Sequence, residues 1–184
     1  MPRTPATDGV GDVPSPTRPT PQPGPLHADR GVQLSAELTS VVAGARRRAA
    51  RTGDGQIDTA HLLHSLLETD PAVCEAFSGA EAARLLGYLV QRSIGYGLRW
   101  AGAVEDSGAV PVVREYAGWS PAAASAMAAA LARAERLGAP RATGLHLLAA
   151  LARDPECRAV EVLRRGGVEP EGFEGRVAEL VERA

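Results

Sequence analysis
His61-Leu62-Leu63-His64-Ser65-Leu66-Leu67, closing on Asp70-Pro71, returns later in the chain as His146-Leu147-Leu148-Ala149-Ala150-Leu151-Ala152, closing on Asp154-Pro155. The two histidines stand 85 positions apart, and the same offset joins Leu34-Ser35 to Trp119-Ser120. Each of those pairs opens a long Ala/Arg-rich stretch with helical periodicity. The chain is therefore an internal duplication, and every other segment is read relative to it.

In the first copy, Ser35 caps a helix expected from Ala36 to about Arg51, with Leu38, Val41, Val42 and Ala45 along one face. Arg46, Arg47, Arg48 and Arg51 fall in its last turns, where cations complement the C-terminal dipole. Gly53-Asp54-Gly55 breaks it. Asp58 or Thr59 caps a second helix carrying Leu62, Leu63, Leu66 and Leu67. Asp70-Pro71 ends that helix and starts a short third one through Val73, Cys74 and Phe77, with proline at the tolerated first position. After Ser78-Gly79 a fourth helix is expected from about Ala80 to Ile94, burying Leu85, Leu86, Leu89, Val90 and Ile94.

The second copy repeats the order. Ser120-Pro121 starts a helix that reaches about Leu137 before Gly138. The next runs from about Gly144 through Leu147, Leu148 and Leu151. Asp154-Pro155 breaks it and begins another through Val160, Val162 and Leu163, which stops at Gly166-Gly167. A last helix follows Glu169-Pro170 with Phe173, Val177, Leu180 and Val181 on one face. The predicted fold is all-α, a pseudo-twofold bundle of two four-helix repeats. Repeat one spans 34–95, an apolar linker loop 96–118, and repeat two 119–184.

The linker is punctuated by Gly97, Gly102, Gly108 and Gly118, yet Leu98, Trp100, Val110, Val112 and Val113 make it too apolar for a plain solvated loop. A β-hairpin turning near Asp106-Ser107-Gly108 fits that pattern, and loops of this length are often functional. Residues 1–32 form a Pro-rich tail expected to be disordered, because few of its side chains can offset the entropy of ordering it. Its Pro-x-Pro spacing also suits a polyproline II ligand, although a solvated tail is the simpler reading.

Composition narrows the chemistry. The net charge of −2 gives no global attraction to nucleic acid or anionic membrane. All twenty basic residues are arginine. With no lysine there is no P-loop lysine, Schiff base or lysine general base. Only Cys74 and Cys157 are present, without C-x-x-C spacing, and no stretch reads as a signal peptide or membrane span. A protein of the reducing cytoplasm is expected, with both cysteines as small core residues.

The order of elements, with Asp58-Thr59-Ala60-His61-Leu62-Leu63 and Thr143-Gly144-Leu145-His146-Leu147-Leu148 in register, resembles the N-terminal repeat domain of the ClpA/ClpC-type unfoldases. The resemblance covers about residues 33 to 183. It implies a double Clp N motif that receives substrates and adaptor proteins, here as a free-standing protein without the ATPase. Ligand-binding positions carried over by resemblance are Leu34, Ser35, Trp119 and Ser120. The family has an aromatic-Thr pair at these openings.

Two departures bear on recognition. The family's Gly-Thr-Glu-His box has a glutamate associated with holding the guanidinium of phosphorylated arginine, and those positions are Ala60 and Leu145 here. A charge-assisted hydrogen bond of this kind contributes about 1.5–3 kcal/mol. Its loss at both sites implies no strong phosphoarginine recognition, although helix N-termini with Ser35 and Ser120 still favour an anion.

The remaining candidates have plain structural readings beside their functional ones. His61 and His146 lie in apolar stripes, where a hydrogen-bonded core histidine is the ordinary case. His61, His64 and Glu68 approach metal-ligand spacing, but Ala149 replaces His64 in the second copy and no third ligand is evident, so no metal and no cofactor is expected. Hydrolysis is disfavoured because no G-x-S-x-G elbow is present. Trp119 reads equally as a partner contact or a buried ring. The expected function is a non-enzymatic protein- or peptide-binding module, acting as adaptor, decoy or regulator of Clp-dependent proteolysis. Its expected partners are Clp protease components, their substrates or a cyclic-peptide antibiotic. The alternative is an Arg-patch regulator binding nucleic acid through Arg46, Arg47, Arg48 and Arg51.

Overall fold
The N-caps foreseen at Ser35 and Ser120 set the frame. Ser35 Oγ accepts from the Leu38 amide and Ser120 Oγ from the Ala123 amide, both at 3.1 Å, so each repeat opens in the same way. The computed structural model describes residues 32–92, 105 and 118–183, apart from the Glu171 side chain, and these belong to a single unit, Gly31–Ala184. The Pro-rich tail 1–31, the hairpin expected near Asp106-Ser107-Gly108, and Ile94 lie outside the described residues.

Among the described residues, the first repeat holds β1 (Gln33–Leu34), α1 (Ala36–Thr52), α2 (Thr59–Thr69), α3 (Pro71–Cys74) and α4 (Gly79–Gln91). The second holds α5 (Pro121–Arg136), β2 (Arg141–Ala142), α6 (Gly144–Ala152), α7 (Arg158–Arg165) and α8 (Pro170–Arg183). The fold is all-α, as expected. The two-residue strands, which helical periodicity does not reveal, pair in parallel with Gln33 opposite Arg141 and Leu34 opposite Ala142.

That pairing has a counterpart. Ile57 forms a parallel bridge with Trp119, which is the Leu34–Ala142 contact with the repeats exchanged. The amide of Ser35 donates to Ala142 O and the amide of Ser120 donates to Ile57 O, each at 2.8 Å. The opening of each repeat is thus stitched to the approach of the other repeat's second helix. These reciprocal bonds are the local signature of the pseudo-twofold arrangement.

α2 and α6 form the spine. Thr59 to Leu67 are buried without interruption, and so are Gly144 to Ala149. A helix buried all round belongs at the centre of a bundle. α1 packs on α2 through Leu38, Val41, Ala45 and Ala49, and α5 packs on α6 through Ala122, Ala123, Ala126, Met127, Ala130 and Ala134. The alanine face lets α5 approach closely. Phe77 and Phe173 meet with ring centroids 4.8 Å apart, tying the α3–α4 junction of repeat one to α8.

Three sequence expectations are corrected. α3 stops at Cys74 rather than continuing through Phe77, because the chain tightens into i→i+3 bonds from the Ala76 amide to Val73 O and the Phe77 amide to Cys74 O. Val90 is 48% exposed: it follows the buried Leu85 by five residues, about 140° round the helix. α7 begins at Arg158, not at Pro155. Asp70 Oδ1 accepts from the Ala72 and Val73 amides and so starts α3 at once, whereas Asp154 Oδ1 accepts from the Glu156 amide and the first amides of α7 are met by Glu105 and Thr59.

Candidate functional site
Reciprocal stitching brings the candidate residues together in crossed pairs. Leu34 and Ser35 lie beside β2 and the start of α6, where Leu145 stands. Trp119 and Ser120 lie beside Ile57 and the start of α2, where Ala60 stands. Thus each candidate serine is bonded through its backbone to the strand segment that leads into the opposite repeat's acid-replacement position. Ser35, Trp119, Ser120, Ala60 and Leu145 are all buried, and Leu34 is half-buried. The Trp119 ring is packed in the core, with 8% exposure.

The recurring histidine is the third residue of each helix and folds back on the cap. His146 Nδ1 accepts from the Thr143 amide at 3.1 Å, which places the proton of the neutral ring on Nε2. Burial, then the Arg133 charge, lowers the His146 pKa. His61 Nδ1 lies 2.8 Å from Asp58 Oδ1 and 3.2 Å from the Asp58 amide nitrogen, while its Nε2 is 3.1 Å from Asp54 Oδ2. Histidine therefore takes the place usually held by Glu or Gln in a capping box. His64 points elsewhere. Its Nε2 is 3.1 Å from Glu68 Oε1 without the alignment of a hydrogen bond, and burial followed by the Arg48 charge brings its pKa down to about 4.

A buried charge node lies at the start of α2. Asp58 Oδ2 is 2.7 Å from both Arg92 Nη2 and Arg158 Nη1, and Asp58 Oδ1 accepts from the His61 amide at 2.8 Å. Burial pushes this carboxyl up, but hydrogen bonding and charge attraction from His61, reinforced by Arg92 and Arg158, outweigh it and hold the group well below the usual carboxylate range. Next to it, the Glu105 carboxylate accepts from the Thr59 amide (2.9 Å), Ser120 Oγ (2.9 Å), the Arg158 amide (2.6 Å) and, very closely, Thr59 Oγ1. Thr59 Oγ1 in turn accepts from the Ala159 amide at 2.9 Å. Glu105 and Thr59 together thus satisfy the first amides of α7, whose own N-cap, Cys157, makes no side-chain cap.

The opposite end is occupied in a related way. Asp70 caps α3 and also accepts from the Gly144 amide at the start of α6; burial raises its pKa, those amides oppose the rise, and the Glu37 charge adds to it. A Cβ on Gly144 would come within 2.0 Å of Asp70 Oδ2, which accounts for glycine where the first repeat has Thr59. Cys74 Sγ and Cys157 Sγ donate to Leu67 O and Leu151 O at 3.3 and 3.4 Å, matching roles at the ends of α2 and α6. Burial raises both thiols, Cys157 to about 11, so neither is an activated nucleophile.

A concavity of about 220 Å³ lies beside Thr59, lined also by Ala122, Ala126, Leu151, Asp154 and Cys157. It is smaller than the roughly 300–1,000 Å³ typical of small-molecule and cofactor sites. Arg46, Arg47 and Arg51 project to solvent, whereas Arg48 turns back to bond Ser65 Oγ and pair with Glu68. Among the described residues, no group of three or more His, Cys, Asp or Glu is placed to hold a metal ion, and no helix is long and apolar enough to cross a membrane.

No family model matches the sequence, and no curated protein matches it. Solved structures do. The N-terminal domain of the caseinolytic protease associated chaperone ClpD from Arabidopsis thaliana superposes with a TM-score of 0.56 at 14% identity, covering 82% of this chain and 95% of that one. The Hsp104 N-terminal domain from Candida albicans gives 0.58 at 13% identity, over 80% and 91% of the two chains. The chain has the Clp N-terminal domain fold. A chain from a malarial protein secretion system gives 0.59 at 19% identity, over 83% and 97%. At these identities the likeness is one of fold.

Of the charged groups, sequence reasoning named Asp58 as a cap but missed its two arginines, which arrive from α4's end and from α7. Glu105 was missed outright. It is one of three acids in the 96–118 stretch, with Asp106 and Glu115, and neither periodicity nor spacing distinguishes it.

Proposed function
We propose that the chain is a non-enzymatic protein- or peptide-binding module that acts as adaptor, decoy or regulator of Clp-dependent proteolysis in the cytoplasm. The observation that carries this reading is the Clp N-type fold spanning both repeats, with matches that extend over nine-tenths or more of each solved N-terminal domain. The side chains support binding over catalysis. Ser35 and Ser120 act as helix caps, both histidines fold back onto the helix starts, and both thiols are raised by burial.

The binding region proposed surrounds the pair of stitched openings, Leu34-Ser35 with Leu145 and Trp119-Ser120 with Ala60, of which Leu34 is half-buried and the others are buried. With alanine and leucine at those acid positions, strong phosphoarginine binding is not expected, and an unmodified polypeptide is the ligand class favoured. Clp components, Clp substrates and cyclic peptides are the candidates to test first. The experiment is reconstituted degradation of a model substrate by the Clp protease of the source organism, with increasing amounts of the purified chain. A change in degradation rate that tracks measured binding to the unfoldase or the substrate is expected. Unchanged rates with no binding to either would remove the proposal.

A further inference from the structure
We infer that Glu105 is a built-in ligand: its carboxylate occupies a four-donor cradle between the repeats and competes there with an acidic side chain of a partner polypeptide. Each carboxylate oxygen is held by two donors, Oε1 by Thr59 Oγ1 and the Arg158 amide, Oε2 by the Thr59 amide and Ser120 Oγ. This is the bidentate geometry of a planar carboxylate, placed where the first amides of α2 and α7 both favour negative charge. Glu105 is buried at 6% exposure, yet it comes from neither repeat and lies 46 residues from Thr59 and 53 from Arg158 in sequence.

The corresponding start of α6 is capped from within the repeats. There Asp70 comes from the adjoining helix junction, and Gly144 lacks the side chain that would exclude it. At α2 the acid is instead supplied from the segment between the repeats. The neighbouring Asp58 keeps its own arginine partners, so an incoming acid needs to replace only Glu105. The 220 Å³ concavity shares Thr59 with the cradle and offers room beside it. Because a tethered group acts at an effective concentration on the order of millimolar, Glu105 weakens any outside carboxylate without abolishing its binding.

This inference uses the Ser120 end of the proposed binding surface and rests on that reading for the partner being a polypeptide. Its test needs no partner protein. The amide resonances of Thr59 and Arg158 are followed by NMR in the full chain, as wild type, Glu105→Ala and Glu105→Gln, during titration with N-acetylglutamate α-amide. N-acetylglutamine amide and N-acetylglycine serve as comparisons. Both variants are expected to bind the glutamate probe at least about tenfold more tightly than wild type, as loss of an internal charge-assisted competitor requires. The glutamine probe is expected to give no response. Equal responses in wild type and variants, or none in either variant, would overturn the inference. So would failure of both variants to fold, since Glu105 would then be a fixed cap. A stronger response to N-acetylglycine would overturn the side-chain assignment in favour of a chain terminus. An unchanged Clp degradation rate would leave this result standing, and a silent titration would leave the proposed function standing.

Discussion
Asp58→Asn is the sharpest test of the buried node. The substitution keeps the volume and one oxygen to accept the His61 amide, but it removes the charge facing Arg92 and Arg158 at 2.7 Å. Breaking a buried pair from one side costs about 3–5 kcal/mol, because the remaining charge stays desolvated. Both guanidinium groups keep slight solvent contact, with side-chain exposures of 12% and 11%, so the low end applies: about 3 kcal/mol. For a domain of this size that is a fall in Tm of about 6–12 °C. Urea unfolding at pH 7 should show a lower midpoint with an unchanged slope, since the exposed surface does not alter. Asp58→Ala should cost roughly 1 kcal/mol more through loss of the cap. Adding Arg158→Met to Asp58→Asn should recover part of the loss, as one of the two buried cations that faced Asp58 is removed. A loss below about 1 kcal/mol for Asp58→Asn, or strict additivity in the double variant, would refute the node as a coupled buried pair.

Other measurements probe separate parts of the molecule. Gly144→Ala should destabilise by about 1–3 kcal/mol, because its Cβ collides with Asp70; the loss should shrink in an Asp70→Ala background, as a double-mutant cycle of unfolding free energies would reveal. His146→Ala should cost about 1 kcal/mol and His146→Gln much less, since glutamine performs the same folding back in a capping box; chemical denaturation separates the two. His64 is depressed to about 4 in the folded chain, so the unfolded chain binds its proton first. Its contribution is complete above about pH 6.5 and is lost as pH falls from there through 4; the Asp58 contribution has the same sign and is lost only below about pH 3.8. Asp70, raised in the folded chain, has the opposite sign: its contribution is present below about 3.8 and is lost as pH rises through its folded value. The decline between pH 6.5 and 4 should flatten in His64→Gln, and an unchanged profile in that variant would contradict the assignment.

Several features were legible in the sequence because they are local or repeated. The 85-residue offset marked two units, Ser35 and Ser120 marked their starts, and Pro121 marked a first turn, as found; the last helix, expected after Glu169-Pro170, begins at Pro170 itself. Helical spacing selected Leu38, Leu62, Leu66, Leu147, Leu151 and Phe173, all buried. Spacing failed where a cap from elsewhere in the chain sets a boundary. Nothing near Pro155 in sequence tells that α7 waits until Arg158 for Glu105 and Thr59 to satisfy its amides. Nor does a period of 3.6 residues foresee β1 and β2, two residues each, whose bonds run between repeats.

What the sequence by itself determined is the all-α class, the duplication and the absence of lysine chemistry, since these depend on residue type and order alone. Tertiary structure decided the arrangement of the candidate site. It crossed each repeat's opening onto the other repeat's second helix, buried Trp119 and Ser120, gave Asp58 its two arginines, and seated Glu105 between α2 and α7. Those contacts join residues up to 100 positions apart. The energy of a desolvated charge depends on which partners the fold brings to it, and no local pattern carries that information.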